Sequence, residues 1–337
     1  MMKTLTKFKP NLLLIFFLVL MVIPLFVKDQ YVLQVIIMAM YFAYLASCWN
    51  IVGGFAGLFS LGHAAFIGLG AYGSTILFLQ YNISPWLGMF FGGFLAVIAA
   101  VIIGYPCFKL RGVYFAISTL AFVSILQMVF TATRNIGNIE LGAGEGLVIP
   151  VMDQSFWMFQ FFDKKYYYWI ILCMLILITV VVNKIRHTHL GYFLLAIHQE
   201  QDAADSLGVN VRKYKLLSWC ISAFFTALGG TFYAQLLLIV SPERLLSVPM
   251  SIELVIMSLI GGIGTIAGPI LGAFLLVPLG EVLRAQFGGQ FAQIQAIVYG
   301  AIIIAVIIFL PTGLKPQLEK GLQKFMSIFR LGLKEQQ

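Results

Sequence analysis

Few residues in this 337-residue sequence are of a type that does chemistry, and they lie far apart. His63, Glu253, Glu281 and Arg284 are the ionisable side chains that fall inside or beside long apolar runs. If those runs cross a bilayer, such groups are costly there and usually functional. His63 follows Ser60-Leu61-Gly62 near an expected helix start, where a lone histidine either packs or serves a pathway. Glu253 falls near the outer end of its run, and Glu281 and Arg284, three apart, are placed to pair on one helix face. A metal centre or a nucleophile–base pair needs clustered ligands, and the four histidines do not supply one, since His187, His189 and His198 share a single polar loop. Cys48, Cys107, Cys173 and Cys220 sit in apolar runs with no CxxC spacing, so they read as small buried hydrophobes. No G-x-x-x-x-G-K-[ST] phosphate loop is present. This inventory argues against a membrane-embedded enzyme. It also argues against an ion-gradient transporter, which needs acids grouped at membrane depth.

The elements that hold these residues follow from composition. Hydrophobic residues make up 61% of the chain and charged residues 10%, against about 25% charged in soluble domains. A spanning helix needs ~20 mainly apolar residues, and continuous apolar runs rule out the alternating strands of a barrel. An all-α integral membrane protein is expected, with about ten spans at 11–27, 31–52, 62–80, 86–107, 112–133, 166–183, 215–240, 251–264, 267–285 and 291–310. The first run follows Lys3, Lys7 and Lys9 but has no small-x-small cleavage site, so it reads as an uncleaved helix. With the N-terminus inside, 15 of the 21 Lys and Arg residues fall on the inner side and 6 on the outer. That bias places both termini in the cytoplasm and requires an even number of spans. It also accounts for the formal charge of +8 through short loops, without nucleic acid as a partner. The chain reads as one transmembrane domain over 1–337, with an outer loop at 134–165, an inner loop at 184–214 and an inner tail at 315–337. In the tail, Leu318, Leu322, Phe325 and Phe329 recur at helical spacing, which suits either an amphipathic helix on the lipid surface or a disordered end.

The inner loop is the most polar stretch of the chain. Gly191 reads as the end of one element, followed by a short helix over Leu195–Ser206 that stops near Gly208 in a left-handed cap. Leu194, Ile197 and the Ala203/Ala204 pair fall on one side of it, while Glu200, Asp202 and Asp205 project acids. Small alanines allow a partner's backbone to come close, as a helix seated in a groove requires. From residue types alone, a docking helix and a solvated linker stand equal.

The pattern Glu200-x-x-Ala203-Ala204-x-x-x-Gly208 resembles the EAA loop of ABC importer permeases. With Ala196-Ile197, Leu207-Gly208-Val209-Asn210 and Tyr214-Lys215, it resembles the LivM type of the branched-chain amino acid permease family. Trp49-Asn50-Ile51-Val52-Gly53-Gly54 through Ser60-Leu61-Gly62-His63-Ala64-Ala65-Phe66 extends the likeness, as do Leu110-Arg111-Gly112-Val113-Tyr114-Phe115-Ala116 and Ser251-Ile252-Glu253 leading into Gly261-Gly262-Ile263-Gly264-Thr265. The resemblance spans about 31–310. It implies a LivHM-like permease in a bacterial inner membrane, non-catalytic in itself. Its implied partners are a second LivH-like permease, two cytoplasmic ATPases (LivG/LivF-like) that bind ATP-Mg, and a periplasmic substrate-binding protein. The chain itself would bind no cofactor and no metal. Gly191, Ala196, Glu200, Ala203, Ala204 and Gly208 would form the ATPase-coupling loop. Tyr192 and His198 stand where the family usually has Arg, so the loop is less basic than its pattern. Substrates implied are branched-chain or other hydrophobic amino acids, with urea or short amides as the alternative.

Two glycine-rich interruptions, Gly53–Gly57 and Gly261–Gly268, fall at similar places in the two halves of the sequence. Paired breaks often mark a transport pathway, because freed backbone groups suit a substrate's carboxylate and ammonium. The expected pathway residues are Asn50, Gly53, Gly54, Ser60, His63, Glu253, Gly261 and Gly262. The plainer reading of these glycines is close helix packing.

Overall fold

The computed structural model describes residues 10–27, 29–137, 139–151, 155–287 and 292–309. The expected tail at 315–337 and its amphipathic reading lie outside the described residues. The chain is built from helices α1 (Pro10–Phe26), α2 (Gln30–Asn50), α3 (His63–Tyr81), α4 (Pro85–Cys107), α5 (Val113–Ala132) and α6 (Lys164–Arg186). Then come α7 (His189–Gln199), α8 (Gln201–Ser206), α9 (Val211–Leu237), α10 (Pro242–Leu245), α11 (Val248–Gly261), α12 (Gly268–Phe287) and α13 (Ala292–Phe309). Among the described residues, eight helical segments are long and apolar enough to cross a membrane; α2 with the π-turn behind it counts as one, and α10 with α11 as another. The remaining two expected spans coincide with α1 and α13.

Helix starts and stops follow local chemistry. The Asp29 and Asp163 side chains accept from the Tyr31 and Lys165 amides at the heads of α2 and α6, and the Asn210 side chain accepts from the Lys213 amide at the head of α9. These caps satisfy donors that the first turn of a helix leaves free. Proline at the N-termini of α4 and α11 removes a donor that would otherwise be unpaired.

Helix α2 forms the centre, with 78% of its most apolar stretch buried, whereas α5 lies at the periphery with 22%. Helices α3, α4 and α9 form one tightly packed group, and α2, α6, α11 and α12 another, joined through α2 and α9. Water gives no apolar drive between helices in lipid, so close backbone approach must provide the packing. A Cβ added at Gly70 would lie 2.0 Å from the Ala227 carbonyl oxygen, and one at Gly230 would lie 2.0 Å from that of Ile67. These two glycines lock α3 to α9.

At one end of the bundle the segment after α5 forms a small cap. Strand β1 (Asn135–Ile136) pairs antiparallel with β2 (Ile139–Glu140), and β3 (Leu147–Val148) pairs with β4 (Ile239–Val240) behind α9. Phe159 stacks on Trp86 at 4.3 Å, tying this cap to the start of α4. Helices α7 and α8 lie in the connection between α6 and α9, at the other end of those spans. Of the four cysteines expected to be buried, Cys48 and Cys107 are, Cys220 is half-buried, and Cys173 is exposed on α6.

Candidate functional site

The two glycine-rich interruptions meet. Helix α2 does not simply end at Asn50: it widens into a π-turn over Ile51–Phe55, the loosened form often found at functional positions. Asn50 is buried, and its amide bridges to the second interruption. Its Nδ2 donates to the Thr265 carbonyl oxygen at 2.9 Å, and its Oδ1 accepts from the Gly264 N–H at 2.9 Å. One side chain thus satisfies a donor and an acceptor freed where α11 stops before α12. Thr265 completes the turn. Its hydroxyl donates to the Gly262 carbonyl oxygen at 2.8 Å and accepts from the Gly268 N–H at 3.0 Å, capping α12.

This junction demands glycine. Gly262 and Gly264 have φ of +119° and +70°, a region that side chains with a Cβ rarely adopt. A Cβ at Gly54 would lie 2.0 Å from Asn50 Oδ1 and 2.6 Å from the Gly264 nitrogen, and one at Gly53 would enter the Trp49 indole at 2.2 Å. A Cβ at Gly261 would lie 1.7 Å from the Gly268 carbonyl oxygen. Four backbone groups at the junction, the Gly264 and Gly268 N–H and the Gly262 and Thr265 carbonyl oxygens, are bonded to the side chains of Asn50 and Thr265.

Ser60 and His63 form a second polar group next to it. The chain returns from the π-turn, and α3 begins in fully buried surroundings, so its first amides need partners. The Ala64 N–H donates to Ser251 Oγ at 3.0 Å, the Gly62 N–H to Ser60 Oγ at 3.0 Å, and the Leu61 N–H to Thr119 Oγ1 at 3.1 Å. His63 Nε2 lies 2.8 Å from Ser222 Oγ, and Nδ1 lies 3.2 Å from Ser60 Oγ. Ser222 uses its proton on the Cys48 carbonyl oxygen at 2.7 Å, so its oxygen accepts from the ring. The proton is thereby assigned to Nε2, with Ser60 donating to Nδ1. Trp49, Phe66 and Trp219 surround the ring. Both ring nitrogens are occupied by hydroxyls.

Glu253 is not part of this group. It is half-buried in the second turn of α11, away from the Asn50 junction at the far end of that helix. Arg284 pairs with Glu281 at 3.0 Å, as their spacing predicted.

The expected coupling loop takes a different shape from the single helix read from its sequence. It forms two helices, broken at Glu200, whose extended backbone (φ −154°, ψ 106°) ends α7 and starts α8. Gly191 does not end an element. It lies inside α7, where a Cβ would come within 2.3 Å of the Ile185 carbonyl oxygen, so it allows α7 to fold back on α6. Leu194, Ile197 and Ala204 are buried, but Ala203 faces outward with Ala196 and Glu200. Gly208 has φ +85°, and a Cβ added there would meet nothing within 4 Å, so conformation alone requires glycine, as the cap reading predicted.

Two contacts of this element escaped the sequence reading. Arg111, between α4 and α5, grips Asp202 with both terminal guanidinium nitrogens, Nη2 and Nη1, at 2.7 and 2.9 Å. The Arg111 hydrogen bonds and charge hold the Asp202 carboxyl below its usual range, and the same pairing raises Arg111. A cavity of about 640 Å³ opens beside the pair, lined among others by Lys109, Asp205, Gly208 and Arg212. Further along, the His198 ring lies against Gly57 at the end of the π-turn, where an added Cβ would be 2.7 Å from Cδ2. Residue spacing carries no signal for either contact, since Arg111 and Asp202 lie 91 positions apart.

These features define a multi-pass helical membrane protein in which the glycine-rich turns after α2 and after α11 meet, with an exposed helical element between α6 and α9. The chain belongs to the family of branched-chain amino acid transport system permease components, whose model matches residues 31–307; its members are transport subunits and not enzymes. It is 28% identical over 91% of its length, and 75% of the relative's, to the high-affinity branched-chain amino acid transport system permease protein LivM of Escherichia coli. It is 25% identical to the corresponding LivH protein of Escherichia coli over 40% of this chain and 43% of that one. It is 27% identical to the permease protein BraD of Pseudomonas aeruginosa over 40% and 43%. No solved structure matches the chain significantly.

Proposed function

We propose that the chain is the membrane-spanning subunit of an ATP-driven importer for branched-chain or related hydrophobic amino acids. In this reading it lies in a bacterial inner membrane as a single domain of ten spans, with α1 and α13 completing the eight longer ones and both termini in the cytoplasm. A second LivH-like permease lies beside it, and a periplasmic binding protein delivers the substrate to the end that carries the cap at 134–165. Two cytoplasmic ATPases bind ATP-Mg and dock on the 184–214 loop.

The family match over 31–307 carries the reading. The shape of α7 and α8 supports the docking role. Ala196, Glu200 and Ala203 are exposed on a short helical pair whose opposite side is packed on the bundle. That is the arrangement of a knob offered to a groove. Gly191 and Gly208 shape the two ends of the knob. Asn50, Gly53, Gly54, Gly261 and Gly262 are proposed as a junction on the pathway, Ser60 and His63 as its brace, and Glu253 as a separate group nearer the entrance.

The test is affinity purification of the tagged chain from its native membrane in mild detergent, with mass spectrometry of what co-purifies. An ATPase pair and a second permease are expected. Reproducible recovery of the chain alone would overturn the reading.

A further inference from the structure

Resting on the reading of an ATP-driven permease, we infer that Asn50 is a positioning residue for coupling. It joins the two interruptions into one unit, and His198 presses on that unit through Gly57.

The contacts form an unbroken line. Helix α7 lies against the π-turn, and the His198 ring occupies the space that a side chain at Gly57 would need. The π-turn is continuous with Asn50, since the Leu58 N–H donates to the Val52 carbonyl oxygen at 3.1 Å and folds the turn back on itself. From Asn50 the amide reaches Gly264 and Thr265 at 2.9 Å on both arms, and Thr265 caps α12. A displacement of α7 therefore meets first the π-turn of α2, then the α11–α12 turn.

The line also has the places where it can bend. The π-turn has a looser hydrogen-bond ladder than the helix it continues. Gly57, Gly262 and Gly264 have φ of +67°, +119° and +70° and no Cβ to resist rotation. Between these soft points, Asn50 is the stiff link. Its two hydrogen bonds run to the backbone of the other interruption, so they follow that backbone whatever side chains move. Without the amide, a push on the π-turn reaches Gly264 only through the apposed Gly54 backbone, with no hydrogen bond to carry it on to Thr265. A coupling route needs contiguous contacts and an element that both ends bias. The structure supplies the contacts, and the double-variant measurement below reads whether both ends bias the same element.

The test uses the whole complex, purified with its ATPases and second permease, reconstituted in liposomes with its binding protein. Uptake of a radiolabelled mixture of leucine, isoleucine and valine and release of phosphate are measured together. Asn50→Leu, close in volume but without polar atoms, is expected to lower uptake per ATP hydrolysed by tenfold or more. Asn50→Asp keeps the acceptor for the Gly264 N–H and loses the donor to Thr265, so an intermediate loss is expected. His198→Ala is expected to lower the same ratio, and the Asn50→Leu/His198→Ala pair to do no worse than the more severe single variant. An unchanged ratio in Asn50→Leu, or losses that multiply in the pair, would overturn the inference. If Asn50→Leu fails to assemble, His198→Ala decides alone, because its side chain lies on an exposed element, and an unchanged ratio there overturns the inference. Lack of ATP-driven uptake by the unsubstituted complex would instead overturn the proposed function.

Discussion

Replacing Gly54 by Ala should be among the most damaging single-methyl changes in this chain. The added Cβ would lie 2.0 Å from Asn50 Oδ1 and 2.6 Å from the Gly264 nitrogen. The second of these is backbone, so the new methyl cannot be accommodated by a rotamer change on that side. Asn50 must withdraw, and it then releases the Gly264 N–H and the Thr265 carbonyl oxygen together. A buried polar backbone group left without a partner costs about 1–3 kcal/mol, so two cost about 2–6 kcal/mol. Alanine regains about 0.5–1 kcal/mol over glycine in helical backbone, which leaves a net loss of about 1–5 kcal/mol. Equilibrium unfolding of the purified chain in mixed micelles, followed by far-ultraviolet circular dichroism, measures it. Gly53→Ala, which meets the Trp49 ring and not the amide bridge, is the comparison. A Gly54→Ala loss below about 0.5 kcal/mol would refute the claim that Asn50 and the two breaks are locked by their present geometry.

Three further outcomes follow from other contacts. Gly208→Ala meets no atom but must adopt φ +85°, so it should cost about 1–2 kcal/mol and loosen only the end of α8, read as faster amide exchange over 200–209 without loss elsewhere. The Asp202 carboxyl is depressed by Arg111, so the stabilisation from that pair is present above the ordinary value of 3.8 and is lost as pH falls through the lower, folded value. Exchange protection of α8 should therefore hold from neutral pH to mild acid, fail in stronger acid, and drop at neutral pH in Asp202→Asn. Ser222→Ala removes the group that accepts from His63 and donates to Cys48, and should destabilise the bundle by about 1–3 kcal/mol in the same micelle unfolding assay.

The spans were legible because an apolar run long enough to cross a bilayer has few other uses. Expected bounds such as 86–107 and 112–133 lie within a residue or two of α4 and α5. The glycine interruptions were legible as breaks, and their meeting was not, since Asn50 and Thr265 are 215 positions apart. The same holds for Arg111 and Asp202, separated by 91 positions. The hydroxyl caps on the buried start of α3 come from α5 and α11, and nothing in a lone Thr119 or Ser251 declares its partner. The break at Glu200 was hidden for a different reason: glutamate is a good helix former, and the bend lets Ile197 and Ala204, on either side of it, pack together with Val211 at the start of α9. Gly191 misled because a glycine can stop a helix or admit a neighbouring backbone, and here it does the second.

The central claim is that this chain conducts amino acids on energy from ATP hydrolysed by its partners. The most direct measurement is uptake of labelled leucine, isoleucine and valine into sealed liposomes holding the purified complex, with ion gradients collapsed. Uptake that needs both Mg-ATP and the binding protein is predicted. Uptake that ignores ATP and appears only when a proton or sodium gradient is restored would contradict the account.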